Sequence, residues 1–425
     1  MGVGLTSYQD ALDFLYARTT GAWKLGLERV EAFLALLGDP HRAMPVLHVA
    51  GTNGKGSVCA ALEAMLRARG LRVAKYTSPH LVDFRERFVV DGRPVEPERI
   101  VAFVQRWTSE VERLGATFFE ATTAMAFEFF RQDGVDVAVI ETGLGGRLDA
   151  TNVVLPVVAG VTNIGIDHVE YLGSTRELIA VEKAGIFKAG VPAVIGEPDP
   201  GIRELLAAIA TQRGARPVRR VYDTGGPAAV EVSSQGTEFT FDGRRWKTPL
   251  VGRHQAANAA VALAMGRELT GPFAMDDNIA SLGLSQTFVP GRFQRVGRYL
   301  FDVAHNPAGA RVLADTLAQA GTPRPITVIL SVLGDKDWRG IMAALASSVD
   351  RFILTVAPTS PASRTWSLPE PLAHAREAGW DAIVVRDFDR ALARAAASGG
   401  TVLVTGSFHT VGDAMARLEV SPTGR

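Results

Sequence analysis

"VLHVAGTNGKGSV", residues 46–58, decides how this chain is read. An unbroken apolar stretch runs into a glycine-rich turn carrying Lys55, and a helix-compatible segment, "SVCAALEAMLRARG", follows at residue 57. Strand, glycine turn and helix start together make a phosphate cradle. Glycines let backbone N–H groups approach oxyanions, and the helix N-terminus adds a favourable dipole. The spacing departs from the common phosphate loop, which places four residues before Gly-Lys and a hydroxyl directly after the lysine. Here only Thr52 and Asn53 separate Gly51 from Gly54-Lys55, and Gly56 precedes Ser57. An ordinary strand-to-helix turn with a stray lysine is the plain alternative.

Outward from this stretch, short apolar runs alternate with helical segments, the signature of an α/β fold with a mostly parallel sheet. The expected strands are "PVLHVA", "RVAKYTS", "VDVAVIET", "VVAGVTNIG" and "VPAVIGE", continuously apolar as strands covered on both faces are. Amphipathic stretches lie at 57–69, 98–114 and 120–131. Residues 228–250 break the rhythm, and alternation around "QG" and "DG" predicts antiparallel hairpins before an alanine-rich helix at "HQAANAAVALAMGREL". Pro, Gly and Arg cluster in "FVPGRFQRVGR", residues 288–298, which reads as a hinge. Beyond it the rhythm restarts with "YLFDVA", "PITVILSV", "RFILTVAP", "DAIVVRD" and "TVLVTGS", enough for a second sheet. The expected division is a domain over 1–290, a hinge at 291–297 and a smaller Rossmann-like α/β domain over 298–425.

With 425 residues, two domains each have room for a full core. Lys plus Arg and Asp plus Glu number 45 each, so no global charge favours nucleic acid or an anionic membrane. The single cysteine, Cys59, allows no internal disulfide and suits a reducing, cytoplasmic setting. No uncharged apolar run approaches the roughly 18 residues of a membrane helix, and the acidic N-terminus does not read as a secretory signal. The start "MGVGLT" has only a superficial likeness to a myristoylation signal.

Further candidates fall at strand ends. In "DVAVIETGLGGRLDATN", Glu141 closes an apolar strand before a second glycine turn. Ligands collect outside the carboxyl ends of parallel strands, so an acid there suits a Mg²⁺ ligand, or failing that a solvated strand end. "NIGIDHVEYLG" repeats the pattern with Asp167-His168, and Lys183 lies beside Glu182 in a helical stretch, where a lysine is usually just solvated.

These segments, with "TSPHL", "EKAGIFK", "GRHQAANAA", "PGRFQ", "DVAHNP" and "TGSFHTVGDA", resemble the folylpolyglutamate synthase/dihydrofolate synthase family of the Mur ligase superfamily. The resemblance runs in order from about residue 20 to 412. It implies a P-loop-type ATPase domain joined to a C-terminal ligase domain. It also implies ATP-dependent addition of L-glutamate to dihydropteroate or reduced folates, with ATP phosphates on Thr52, Asn53, Gly54, Lys55, Gly56 and Ser57. Asn258, Arg292 and Asp302 match nucleotide contacts. Ser57, Ser78, Glu141 and His168 match positions around two Mg²⁺ ions, and Lys183 matches a lysine carbamylated by CO₂. Thr117, Phe119 and Asp149 correspond to a pterin pocket, and His305 and Ser407 to a glutamate site. Lys55, Lys183, Arg292 and His305 carry the catalytic expectation. The partners implied are small molecules, and the family suggests a monomer. A monofunctional polyglutamate synthase is the neighbouring reading. A cell-wall Mur ligase would need a UDP-recognising domain ahead of the loop, where about 50 residues stand. A switch NTPase has no use for "DVAHNP" and "TGSFHT".

Overall fold

The structure is a computed structural model describing residues 6–19 and 26–422. The glycine of the "MGVGLT" start lies outside the described residues. The strands are β1 (Val46–Ala50), β2 (Val73–Tyr76), β3 (Phe88–Val90), β4 (Arg93–Pro94), β5 (Val137–Glu141), β6 (Val158–Val161), β7 (Ala193–Ile195) and β8 (Val218–Arg220). They form one eight-stranded sheet in the order β4-β3-β2-β5-β1-β6-β7-β8. β2 through β8 pair in parallel except for β3 and β4, which add an antiparallel edge.

β1 therefore lies between β5 and β6, with Val49 beside Glu141 and Ala50 beside Val161. That order brings the glycine turn, Glu141 and the "TNIG" turn to one crevice edge. All five residues of β1 and of β5 are buried, because helices cover both faces of the sheet. The phosphate-loop helix, Lys55–Ala68, starts from Gly54, whose φ of 85° is the left-handed conformation glycine adopts freely. It packs closely against the helix Asp277–Ser285: a side chain at Gly283 would run into the Met65 backbone.

Residues 228–250 fold as expected into a small antiparallel sheet of β9 (Ala228–Ser233), β10 (Gly236–Phe241) and β11 (Arg244–Thr248). Its inner face places Phe239, Phe241 and Trp246 in one core with Ala256 and Ala260 of the helix Arg253–Arg267. That helix carries Asn258. The Trp246 indole N–H donates to the Phe241 carbonyl at 3.1 Å, so its polar atom is satisfied in the core.

The second sheet comprises β12 (Gln294–Val296), β13 (Tyr299–Phe301), β14 (Ile326–Leu330), β15 (Arg351–Leu354), β16 (Ala382–Val384) and β17 (Thr401–Thr405). Its order is β12-β13-β17-β14-β15-β16, all parallel but for the β12 edge. Within the expected hinge, residues 294–296 pair antiparallel with β13 through a turn at Gly297. The chain thus crosses between the domains over 286–293. Besides β12, three strands were not read from sequence. β3 and β4 form a hairpin through Asp91 and Gly92, both at positive φ, and β8 is a charged edge. No helix among the described residues is long and apolar enough to cross a membrane.

Trp246→Ala removes the largest fully buried side chain of the small sheet and opens a cavity against the Asn258 helix. Denaturant unfolding is expected to show a loss of about 3–5 kcal/mol.

Candidate functional site

The crevice centres on the Gly51 carbonyl oxygen. Lys55 Nζ donates to it at 3.1 Å and to the Thr52 carbonyl at 3.4 Å, and Lys183 Nζ donates to the same Gly51 oxygen at 2.9 Å. Glu141 Oε1 lies 3.8 Å from Lys55 Nζ, and its Oε2 accepts the Ser78 backbone N–H at 3.2 Å. Lys55, Ser78, Glu141 and Lys183 thus converge, drawn from the ends of β1, β2 and β5 and from the helix Arg176–Lys183.

The electrostatics follow from burial. Lys183 is 4% exposed, and burial, with Lys55 nearby, pulls its ammonium down to about 7. Burial pushes the Glu141 carboxyl up, opposed by Lys55, the Ser78 amide and Arg292. His168 is held below the usual histidine value by burial, and Lys55 and Lys183 act on it in the same direction. Burial would raise Asp167, but His168 and Lys336 hold its carboxyl below the usual range.

The loop backbone is fixed before any ligand arrives. The Thr52 N–H donates to the Asn163 carbonyl at 2.8 Å, and the Asn53 N–H to the Asn163 side chain at 3.1 Å. The Thr162 hydroxyl donates to the Asn53 carbonyl at 2.7 Å, and the Gly165 N–H to the Thr52 hydroxyl at 2.9 Å. Gly54 lies against the Asn258 side-chain oxygen, which leaves no room there for a Cβ. Ser57 is buried in the first helical turn, and Gly56 lines the crevice mouth.

The second domain closes the crevice. A cavity of about 380 Å³ lies between the domains, bounded by Gly56, Ser78 and Glu141 on one side and Arg292 and Phe408 on the other. The Arg292 guanidinium stands 5.8 Å from the Phe408 ring. Asp302 is pushed up by burial, against Arg292, while its carboxylate accepts the Phe293 and Ala304 N–H groups, each at 3.0 Å. His305 Nδ1 lies 2.9 Å from the Val303 carbonyl. A carbonyl only accepts, so Nδ1 carries the hydrogen and Nε2 is left as an acceptor. Burial lowers this imidazole to about 4, which keeps it neutral at physiological pH.

Other expected residues serve as local braces. The Thr117 hydroxyl accepts from the Glu120 N–H in a capping box at the helix Phe118–Gln132. Asp149 accepts from the Leu144 N–H at 2.7 Å and the Thr151 N–H at 3.0 Å, fixing the "GLGGRLD" turn. The Ser407 hydroxyl caps the helix Phe408–Arg417 and accepts from the Thr410 N–H at 3.0 Å. Phe119 is half-buried, its ring centroid 6.0 Å from Tyr76.

Among the described residues, no three His, Cys, Asp or Glu side chains form a ready metal cluster. Of the residues expected around Mg²⁺ the structure joins Glu141 to Ser78, and a buried carboxylate beside a serine suits a hard divalent ion that takes its remaining ligands from phosphate oxygens and water. Sequence reading passed over Lys336 of "LGDKDW", whose Nζ pairs with Asp167 Oδ1 at 3.5 Å across the domains. It also passed over Asn163, whose only signal was its place at a strand end.

Residues 49–266 match the Mur ligase middle domain, and residues 291–408 the Mur ligase, glutamate ligase domain. The chain is 37% identical to the dihydrofolate synthase/folylpolyglutamate synthase of Escherichia coli, covering 99% of this chain and 97% of that one. The Mycobacterium tuberculosis folylpolyglutamate synthase complexed with ADP superposes with a TM-score of 0.87 at 34% identity, over 99% of both chains. The bifunctional folylpolyglutamate synthase/dihydrofolate synthase of Yersinia pestis, complexed with AMPPNP and Mn, gives 0.81 at 35% identity, over 99% of this chain and 100% of that one. A lysine-bearing glycine loop between two acid- and amide-bearing strand ends, matched over nearly the whole length, has one reading: this chain belongs to the folylpolyglutamate synthase/dihydrofolate synthase family of the Mur ligases.

Proposed function

We propose that this chain is an ATP-dependent ligase that joins L-glutamate to dihydropteroate and to reduced folates through an acyl phosphate. The observation that carries the reading is the meeting of Lys55, Lys183 and Glu141 at Gly51, a buried excess of positive charge beside a carboxylate. A triphosphate offers the matching negative charge.

A free carboxylate resists an amine, because attack adds a second negative charge beside the first. The acceptor carboxylate oxygen instead attacks the γ-phosphorus of ATP, and ADP leaves with the bond electrons. The glutamate nitrogen then attacks the acyl carbon and inorganic phosphate departs. The chain's work is positioning and charge neutralisation. The loop Thr52 to Ser57 and Lys55 hold the phosphates, with the Thr52 and Asn53 amides already engaged by Asn163 and bracing the turn, while Asn258, Arg292 and Asp302 hold the nucleotide. Ser57, Ser78, Glu141, His168 and a carbamylated Lys183 would hold two Mg²⁺, which neutralise charge on the transferring phosphoryl group. Thr117, Phe119 and Asp149 shape the acceptor pocket as braces, and Ser407 orients the helix that lines the glutamate side. His305 orients the incoming amine through Nε2; an imidazole lowered to about 4 is a weak base, so positioning is its part. Residues 286–293 give the domains a pivot about which closure shields the acyl phosphate from water. We place the chain in solution as a monomer in the cytoplasm.

The direct test is phosphate release. It is expected only when ATP, Mg²⁺, L-glutamate and either dihydropteroate or tetrahydrofolate are all present, and glutamate-independent hydrolysis would favour a switch NTPase. Arg292→Ala is expected to lower kcat by about a hundredfold while changing KM for the acceptor less than about threefold. Equal losses would count against a transition-state role.

Lys183 supplies a third outcome. Between pH 7 and 10.5 the unfolded lysine holds its proton and the folded one does not, so this group's contribution to stability rises with pH across that window. In CO₂-free buffer, Lys183→Met should flatten that rise, by at most about 1.4 kcal/mol per pH unit. With ¹³C-bicarbonate, the wild-type protein should show a carbamate resonance that the variant lacks. A wild-type spectrum without it would refute the carbamate.

A further inference from the structure

The cavity between the domains continues past the reaction centre. From Glu141 and Ser78 it follows one side of the phosphate-loop helix, where Gly56, Ala60 and Ala64 recur a turn apart and leave the helix surface open. Arg67 and Pro94 bound its far end. The same two residues border a hollow on the outer face that also takes in Arg72, Arg93 and Arg99. One passage thus links Glu141 to a group of arginines at the β3–β4 edge. It is distinct from the pocket of Phe119, because neighbouring strand residues face opposite sides of a sheet. Tyr76 packs with Phe88 and Phe119 on one face. Lys75 reaches the phosphate-loop helix on the other, its Nζ 2.5 Å from Glu63 Oε2. The two spaces meet where Ser78 binds Glu141.

The walls of the passage carry two kinds of unused group. Glu63 lines it and is 5% exposed, and its Oε1 accepts no hydrogen bond among the described residues. A buried carboxylate oxygen without a donor is a place for an N–H. Farther out, Arg99 binds Asp133 at 2.7 Å and Arg72 faces Asp91 at 3.9 Å. Arg67 and Arg93 have no such partner among the described residues, and Glu96 is the one acid left beside them. A Cβ at Gly92 would run into the Arg67 guanidinium, so that head group rests on the β3–β4 turn next to Arg93. A chain of γ-linked glutamates repeats the matching groups, one amide N–H and one α-carboxylate per unit. The lengths agree as well. From residue 56 to residue 67 the helix rises about 16 Å. A γ-linked unit spans five backbone bonds where an α-linked residue spans three, so it extends about 6 Å and roughly three units cover that rise.

We propose that this passage holds the tail of acceptors that already carry several γ-linked glutamates, with the terminal carboxylate at the Glu141 crevice, a tail amide on Glu63 and α-carboxylates on Arg67 and Arg93. This rests on the ligase reading above and names the surface that lets the chain keep extending its own product.

The test compares kcat/KM for tetrahydrofolate and its tetra-γ-glutamyl form, at saturating ATP, Mg²⁺ and L-glutamate, in the wild type and the double variant Arg67→Gln/Arg93→Gln. Both side chains are exposed, so the fold does not depend on them. The variant should lose at least about tenfold with the tetraglutamyl acceptor and less than about threefold with tetrahydrofolate. Equal losses, or none with the long acceptor, would overturn the assignment. A second measurement needs only the wild-type protein: tetra-γ-glutamate without a pterin should inhibit use of the long acceptor at least about tenfold more strongly than the α-linked peptide of the same charge. If the two peptides inhibit alike, or neither inhibits, the passage does not read a γ-linked tail. A wild-type protein that uses tetrahydrofolate but not the tetraglutamyl form would also refute the passage. One that uses neither would instead sink the ligase reading itself.

Discussion

Two ammonium groups share one backbone oxygen. Lys55 and Lys183 both donate to the Gly51 carbonyl; Glu141, at 3.8 Å, offsets Lys55, and Asp167 and Asp149 act more weakly on Lys183. Taking a second cation out of water so near the first is costly, and the titration of Lys183 at about 7 registers that cost. The fold maintains this arrangement because the strand order β5-β1-β6 fixes the neighbours of the glycine turn, and because Asn163, Thr162 and Gly165 bind its backbone. The two lysines are thus held together before any ligand binds, and CO₂ addition to the neutral Lys183 amine would turn it into an anionic ligand.

The second domain adds charge from the opposite wall. Arg292 acts on Glu141 and Asp302, and Lys336 reaches across to Asp167. The Lys336–Asp167 pair is partly exposed, and such a pair contributes about 1 kcal/mol or less. It is a weak tie between the two sides of the crevice. The β12 hairpin ends the crossing segment at residue 294, so Arg292 lies within the stretch that joins the two sheets.

Much of this was legible in the sequence, for a definite reason. Strands buried on both faces must be continuously apolar, so β1, β5, β6, β14 and β17 stood out. Glycine turns directly after them mark where backbone must approach a ligand. Edges were harder to read: β8 is "VRR" and β4 spans two residues, because an edge strand need not be apolar. The local hydrogen bonds of Thr117, Asp149 and Ser407 were also hidden. Hydroxyls and carboxylates that cap helices are the same types that bind substrates, and only coordinates show that the Ser407 oxygen is engaged by Thr410. Lys336 escaped notice because a lysine in a polar stretch ordinarily faces solvent, and its pairing arises from a distant segment.

The central claim is that this charge-loaded crevice moves a phosphoryl group onto a carboxylate. Replacing L-glutamate with hydroxylamine tests it most directly, since that small nucleophile captures an acyl phosphate as a hydroxamate. With dihydropteroate, ATP and Mg²⁺, the account predicts the dihydropteroyl hydroxamate and one inorganic phosphate for each molecule formed. ADP accumulating with no hydroxamate would contradict it.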